Sequence, residues 1–286
     1  TTSTLQQEAS TKLGYGARKT MSIAQKLYEG VDLGGSTTGL ISYMRTDSTR
    51  LSPLFVTDTE NYIASEYGSE YKGTAHEKNS TTAQDAHEAI RPTDITHTPE
   101  SVKPYLTNEQ FRLYSLIYAR TLASLMADAV FDVTSAKFSC GPAEFSASGQ
   151  TLVFDGYSKV YSKYEKQSNE LLPAIKQGEE MKHVNIEGSQ HFTEPPARYT
   201  EAKLIKELEE KSIGRPSTYA LIIDTLQKRG YVNLEKTSET SKTKVFFPTE
   251  QGELTDTKLQ EYFNSVINVA YTADMEKSLD IIAEGD

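Results

Sequence analysis

Tyr43 and Arg45 stand two residues apart in the run Gly39-Leu40-Ile41-Ser42-Tyr43-Met44-Arg45-Thr46-Asp47-Ser48-Thr49-Arg50. Side chains of these types at this spacing can attack phosphorus. A phenol with an ordinary pKa of about 10 is a poor nucleophile at neutral pH. A neighbouring cation favours the phenolate and also neutralises the phosphate under attack. Arginine suits both tasks, because its planar fork holds two phosphate oxygens at once. Asp47 is placed to orient that arginine, and Thr46, Ser48 and Thr49 can donate hydrogen bonds to a nucleic-acid backbone. The same residues admit a plainer reading, with Tyr43 a half-buried strand residue and Thr46-Asp47-Ser48-Thr49 a helix N-cap.

Two later stretches carry matching chemistry. In Asp85-Ala86-His87-Glu88-Ala89-Ile90-Arg91-Pro92-Thr93 a histidine lies near an arginine, in a segment too polar to be core. The plainer reading there is a capped turn held by Pro92. In Gly214-Arg215-Pro216-Ser217-Thr218-Tyr219-Ala220, Ser217 and Thr218 fall at an expected helix N-terminus just after an arginine, which suits a phosphate. An ordinary N-cap next to proline is the alternative. From Arg198 to Arg229 there are seven basic residues against five acidic, a local basic excess in a chain of net charge −10. Net charge averages the whole surface, and only the lining of a groove must be positive to hold a polyanion.

The elements that must position these residues follow from periodicity. Residues 1–29 read as helices, with Thr4 and Gln7 or Glu8 as a capping box. Leu13 to Gly16 is a break, and Ile23, Ala24, Leu27 and Tyr28 recur at helical spacing up to Glu29. Gly30 to Gly39 reads as a flexible loop. A helix is expected from about Thr57 to Tyr67, a polar loop from Tyr71 to Thr82, and one long helix from Thr107 to Ala129. At Val130 the period changes to alternation. Strands are expected over Phe131–Ser139, over Ala143–Ser148, over Gln150–Tyr157 after a turn at Gly149, and over Met181–Glu187. Lys163–Asn169 reads as a polar loop. A helix from Glu201 to Lys211, a second ending near Gln227–Gly230, and a hairpin of Tyr231–Leu234 with Lys244–Thr249 make a winged-helix pattern.

Composition bounds the answer. The chain has 286 residues, enough for two or three domains, with 37% hydrophobic and 24% charged residues, as in an ordinary soluble protein. No run approaches the roughly 18 apolar residues that span a membrane, and no signal peptide opens the chain. Cys140 is the only cysteine, which excludes an intrachain disulfide and a cysteine-cluster zinc site and permits a cytoplasmic location. The chain contains 17 tyrosines and no tryptophan, and tyrosines can stack on unpaired bases. Glu179-Glu180 and Glu209-Glu210 lack the strand-end context of a metal site. Both ends read as cut, the first in a capping sequence and the last just after an amphipathic run.

The three motifs, in this order, closely resemble those of type IA DNA topoisomerases. The Tyr-Met-Arg-Thr-Asp-Ser form is similar to the bacterial topoisomerase I branch; the topoisomerase III branch usually carries a proline before the arginine. The resemblance covers nearly all the chain. It implies a multidomain α+β fold. A helical, winged-helix-like domain carries the tyrosine over 1–129. An antiparallel β arch or hinge spans 130–195, and a truncated, winged-helix-like domain for single-stranded DNA spans 196–286. It implies a fragment without the N-terminal Toprim domain and the C-terminal region. Tyr43 is then the nucleophile, forming a 5′-phosphotyrosyl link and a free 3′-hydroxyl without ATP. Strand passage and religation follow, relaxing negative supercoils. Arg45 and His87 are its catalytic partners, and Thr46, Asp47, Ser48, Arg91, Arg198, Arg215, Ser217, Thr218 and Arg229 contact DNA. The family's magnesium site, a Glu and an Asp-x-Asp cluster, belongs to the domain before this chain, so Mg2+ is expected in the full-length enzyme and no metal here. The implied setting is a monomeric, cytoplasmic, nucleoid-associated enzyme on single-stranded DNA, with no membrane partner and with the fragment alone inactive. The rival reading is a non-catalytic DNA-binding or protein-interaction module in which Tyr43 only packs.

Overall fold

Thr1 starts the first helix, α1 (Thr2–Glu8), by accepting the Thr4 N–H on its hydroxyl. The capping box expected at Thr4 is therefore not the cap; Thr4 lies inside the helix. The computed structural model describes residues 1–73, 87–165, 171–181, 187–241 and 243–284. One wide helical turn (Ala9–Leu13) ends at Gly14 in the left-handed conformation, and α2 (Ala17–Glu29) follows. Gly30, at φ 123°, ends α2 in a conformation that disfavours any side chain. The expected loop after it contains a minimal ladder, β1 (Val31–Asp32) against β2 (Thr37–Thr38), with the Asp32 carboxylate accepting the Gly34 N–H. Next come α3 (Pro53–Glu66), the short α4 (Pro99–Val102) and the long α5 (Asn108–Leu125).

Alternation then produces β3 (Val130–Cys140) and β4 (Ala143–Phe154), joined across Gly141-Pro142. The turn expected at Gly149 is absent. Gly149 pairs with Thr134 inside one continuous strand, where it is the one buried residue of β4. After α6 (Ser158–Tyr161), the described residues of 171–181 and 187–200 carry neither helix nor strand. The strand expected over Met181–Glu187 has its interior, 182–186, outside the described residues, as do most of the loop expected over Tyr71–Thr82, part of Lys163–Asn169, and Asp85 and Ala86. Thr200 caps α7 (Glu201–Glu210), and α8 (Tyr219–Lys228) leads into an antiparallel hairpin, β5 (Val232–Lys236) with β6 (Lys244–Pro248). Two further helices, α9 (Glu250–Phe263) and α10 (Val269–Glu284), end the described chain. The fold is thus mixed α and β, with small antiparallel sheets among the described residues.

Two compact units result. The first gathers residues 1–58, 77–121 and 198–286; the second gathers 59–76 and 122–197. In the first, Ala17, Ile205, Tyr219, Ile223 and Phe246 form a buried cluster flanked by Leu204, Leu208, Val232 and Leu234. That cluster joins α2 to α7, α8 and the hairpin, so the two ends of the sequence share one core. In the second unit the β3–β4 ribbon is largely exposed. Its base is fixed where the Tyr71 hydroxyl donates to Asp155 at 2.6 Å and the Tyr71 ring packs on Phe154.

Candidate functional site

The segment from Leu40 to Arg50 has no helix or strand of its own and is held from three sides. Leu40, Ile41 and Met44 are buried, which fixes the segment to the core. On the first side the Leu40 N–H donates to the Leu27 carbonyl at 2.7 Å. Gly39 makes that approach feasible, since a Cβ there would lie 2.7 Å from the Tyr28 carbonyl oxygen. On the second side the segment zips antiparallel to residues 87–93. Thr93 N–H donates to Leu40 O, Ser42 N–H to Arg91 O and Ala89 N–H to Arg50 O. The Ser42 hydroxyl donates to Ala89 O at 2.7 Å and accepts the Arg91 N–H at 2.9 Å. On the third side is Thr2 of α1, whose hydroxyl donates to Met44 O at 2.7 Å and accepts the Thr46 N–H at 2.9 Å.

This zipper brings two motifs together. The Tyr43 ring lies 5.1 Å from the His87 ring, tilted by 35°. On another side the Tyr28 ring meets it edge-on at 5.4 Å. Tyr43 and His87 are half-buried, so a ligand can reach both, whereas Arg45 is exposed. Arg45 makes no ion pair or hydrogen bond through its side chain among the described residues, so its guanidinium is open to an anion.

The other residues read from the sequence sort into distinct groups. Thr46 and Ser48 are buried and serve the loop itself: Thr46 Oγ1 accepts the Ser48 N–H, and Ser48 Oγ accepts the Arg50 N–H. Asp47 forms no ion pair with Arg45 among the described residues, and its charge adds a minor part to the raised pKa of Tyr219. Arg91 is engaged, with Nε on Glu88 at 2.7 Å, Nη1 on the Pro92 carbonyl and its plane 4.2 Å from the Phe55 ring centroid. Glu88 also accepts the Ser52 N–H. Arg215 is engaged as well, by the Gly214 carbonyl and by Glu276 and Asp280 of α10. Although burial opposes its charge, the Asp280 hydrogen bond and the two nearby carboxylates hold its pKa above the ordinary arginine value. Thr218 accepts the Arg215 N–H at 2.8 Å and stands as the N-cap of α8, while Ser217 is exposed beside it. Arg198 stacks on Phe247 at 4.5 Å, and Arg229 is exposed at the C-cap of α8.

The turn and the tyrosine loop are neighbours in this unit. The Tyr219 phenol is pushed up to about 12, first by burial and next by Glu209, with Asp47 and Glu276 adding to it and Arg215 opposing. Glu209 in turn accepts the Ser3 hydroxyl at 2.7 Å, one residue from the Thr2 anchor. Four residues important to this geometry escape a sequence reading: Thr2, Tyr28, Glu276 and Asp280. None has a local signal, since each acts on a residue distant in sequence. Glu88 did have one, an i,i+3 spacing to Arg91. Among the described residues no group of three or more His, Cys, Asp or Glu is arranged to hold a metal ion, and no described helix is long and apolar enough to cross a membrane.

Tyr43 thus lies between the His87 and Tyr28 rings, on a loop pinned from three sides. The profile of the DNA topoisomerase family matches residues 1–286, and the chain belongs to that family. Its structure is similar to full-length topoisomerase I from Thermotoga maritima, with a TM-score of 0.87 and 39% identity. The match covers 99% of this chain and 45% of that one, so the chain spans less than half the relative's length.

Proposed function

We propose that this chain is the strand-cleaving part of a type IA DNA topoisomerase, with Tyr43 as nucleophile. The observation that carries the reading is the Tyr43–His87 ring contact, two residues along the chain from an Arg45 that has no side-chain partner among the described residues. The Tyr43 oxygen attacks a backbone phosphorus. The phosphorus–O3′ bond breaks, the phenolic proton is lost, and the departing oxygen takes up a proton as a 3′-hydroxyl. The phosphodiester bond is conserved as a 5′-phosphotyrosyl ester, so religation by the 3′-hydroxyl needs no ATP. Arg45 meets the charge that develops on the phosphate, and His87 lies where it can hydrogen-bond the same group. Thr46, Ser48 and Arg91 brace the loop through the contacts described above, and Asp47 faces the neighbouring turn.

In this reading α7, α8 and the β5–β6 hairpin form a winged-helix-like surface for single-stranded DNA. Arg198, Arg215, Ser217, Thr218 and Arg229 line it, and the helix N-terminus at Thr218 favours a phosphate. The β3–β4 ribbon is a segment of the arch. The parts carry the limits 1–129, 130–195 and 196–286; the first is divided between the compact units, since 59–76 and 122–129 belong to the second. In this reading the Mg2+ of the full-length enzyme is held by its other part. The setting is a monomer acting on DNA in the cytoplasm, at the nucleoid, and the 286 residues alone do not relax supercoiled DNA.

The test is covalent trapping. The intact protein, incubated with a labelled single-stranded oligonucleotide and denatured, is expected to yield a DNA adduct on Tyr43. Tyr43→Phe is expected to lose the adduct and keep DNA binding. An adduct that persists in Tyr43→Phe would sink the assignment, and a variant that relaxes supercoiled DNA normally would restore the non-catalytic reading.

A further inference from the structure

Arg215 sits at the turn that positions the N-terminus of α8, yet its guanidinium is already spoken for. Nη1 donates to the Gly214 carbonyl at 2.9 Å. Nη2 donates to Asp280 Oδ2 at 2.7 Å and lies 3.3 Å from both the carbonyl and the Oε2 of Glu276. Glu276 and Asp280 are four residues apart on α10, so both carboxylates stand on one face of that helix. Neither the turn nor α10 has a local reason to hold this geometry, since the partners are 61 and 65 positions apart in sequence. The contact is also half-open. The Arg215 side chain is 32% exposed and that of Asp280 is 53% exposed.

A phosphate held by the arginine fork takes two of its N–H groups, and both arrangements that use Nη2, end-on with Nη1 or side-on with Nε, meet the carboxylates here. Here Nη2 faces two carboxylates, which compete for the donors and repel an approaching anion. An ion pair this exposed is weak and exchanges readily. We propose that Glu276 and Asp280 form a latch on Arg215 that a DNA phosphate must displace, so that α10 limits how tightly the Gly214–Tyr219 turn holds DNA. The proposal rests on the reading that Arg215 contacts DNA phosphate. The latch consumes one phosphate contact's worth of charge in the free protein. Binding then releases fewer counterions than an open arginine would, and the grip on a strand that must later move stays loose.

The experiment measures binding of the intact protein to a fluorescent single-stranded oligonucleotide across a salt series. The E276Q/D280N variant keeps hydrogen-bonding groups but removes both charges. It is expected to bind roughly threefold tighter at low salt, with the log–log salt slope steeper by about 0.7, the value of one more phosphate contact on a single strand. R215A is expected to bind more weakly, and the same double substitution made in R215A is expected to change nothing further. Tightening that persists in the R215A background is a general charge effect and overturns the latch. E276Q/D280N binding no tighter than wild type, while R215A still weakens binding, overturns the latch and leaves the phosphate reading standing. R215A binding like wild type overturns both. If the double variant melts well below wild type, D280N alone, which removes only the shortest contact, is read by the same criteria.

Discussion

The tyrosine loop at 40–50 and the turn at 214–219 lie in one compact unit and both carry groups suited to phosphate, but opposite forces hold them. The loop is fixed by neutral hydrogen bonds in buried surroundings, from Thr2, Ser42 and Leu40. The turn is closed by its own neutral bonds between Thr218 and the Arg215 backbone, but its arginine side chain is held by charge, from Glu276 and Asp280. Neutral buried bonds do not respond to salt, whereas exposed ion pairs are screened within about 10 Å at 0.1 M. The arginines repeat the contrast. Arg45 has no partner among the described residues, Arg91 is clamped by Glu88 and Phe55, and Arg215 is latched. An attacking oxygen must be aimed to within fractions of an ångström under all conditions. A grip on a moving strand must instead be reversible. With Tyr43 as the proposed nucleophile and Arg215 as the proposed phosphate contact, packing holds the first and charge the second.

The largest effect is expected where the loop's chemistry, not its anchoring, is removed. Arg45→Ala in the intact enzyme should lower single-turnover cleavage by about 10²–10³, the usual loss of one transition-state donor. It should change DNA affinity little, because the loop stays pinned. Cleavage at wild-type rate would show that the open guanidinium has no catalytic use. A smaller loss, roughly tenfold in cleavage, is expected for Thr2→Val, which leaves the Thr46 N–H and the Met44 carbonyl without their buried partner and lets the loop shift. The desolvated groups should cost about 1–3 kcal/mol of stability. Thr2→Ser, which keeps the hydroxyl, should recover most of both. If Thr2→Val loses stability but cleaves normally, the anchor serves the fold and not the aim of Tyr43.

How much of this was legible depends on the range of the interaction. The start of α7 at Glu201, the start of α8 after Pro216 and the β5–β6 hairpin follow from residues within a few positions of one another, and the sequence reading places them correctly. Tyr43, Arg45 and His87 stand out by residue type, although their proximity comes from the zipper between 40–50 and 87–93. Gly149 misleads, because it continues the strand opposite Thr134 as the one buried residue of β4. Asp47 and Arg45, two positions apart, form no ion pair among the described residues. The commitments of Arg91 to Phe55 and of Arg215 to α10 are long-range and leave no periodic trace. A basic residue in a motif reads as free until its acid is found.

The smallest effect gives the sharpest form of the comparison, because it uses protons instead of side-chain removal. On the charge-held side, Asp224 of α8 accepts from Lys228 at 2.7 Å and from Arg18 of α2 at 2.9 Å. Those partners, Lys228 first, hold its carboxyl below the ordinary range. A carboxyl whose folded pKa lies below the unfolded value of about 3.9 adds stability at pH values above that value. The contribution fades as pH falls through the depressed folded pKa. Asp224→Asn should therefore melt slightly below wild type at pH 7, and the gap should close as the pH is taken down through 4 and below. The effect must be small, since Arg18 is 70% exposed, and added salt should shrink it further. Thr2→Val supplies the control, because its contacts contain no titrating group and its melting deficit should stay level over the same range. Parallel pH profiles for the two variants would contradict the division of this unit into a charge-held half and a neutral one. A closing gap for Asp224→Asn beside a level one for Thr2→Val would place the acid-sensitive joint between α2 and α8, away from the loop that aims Tyr43.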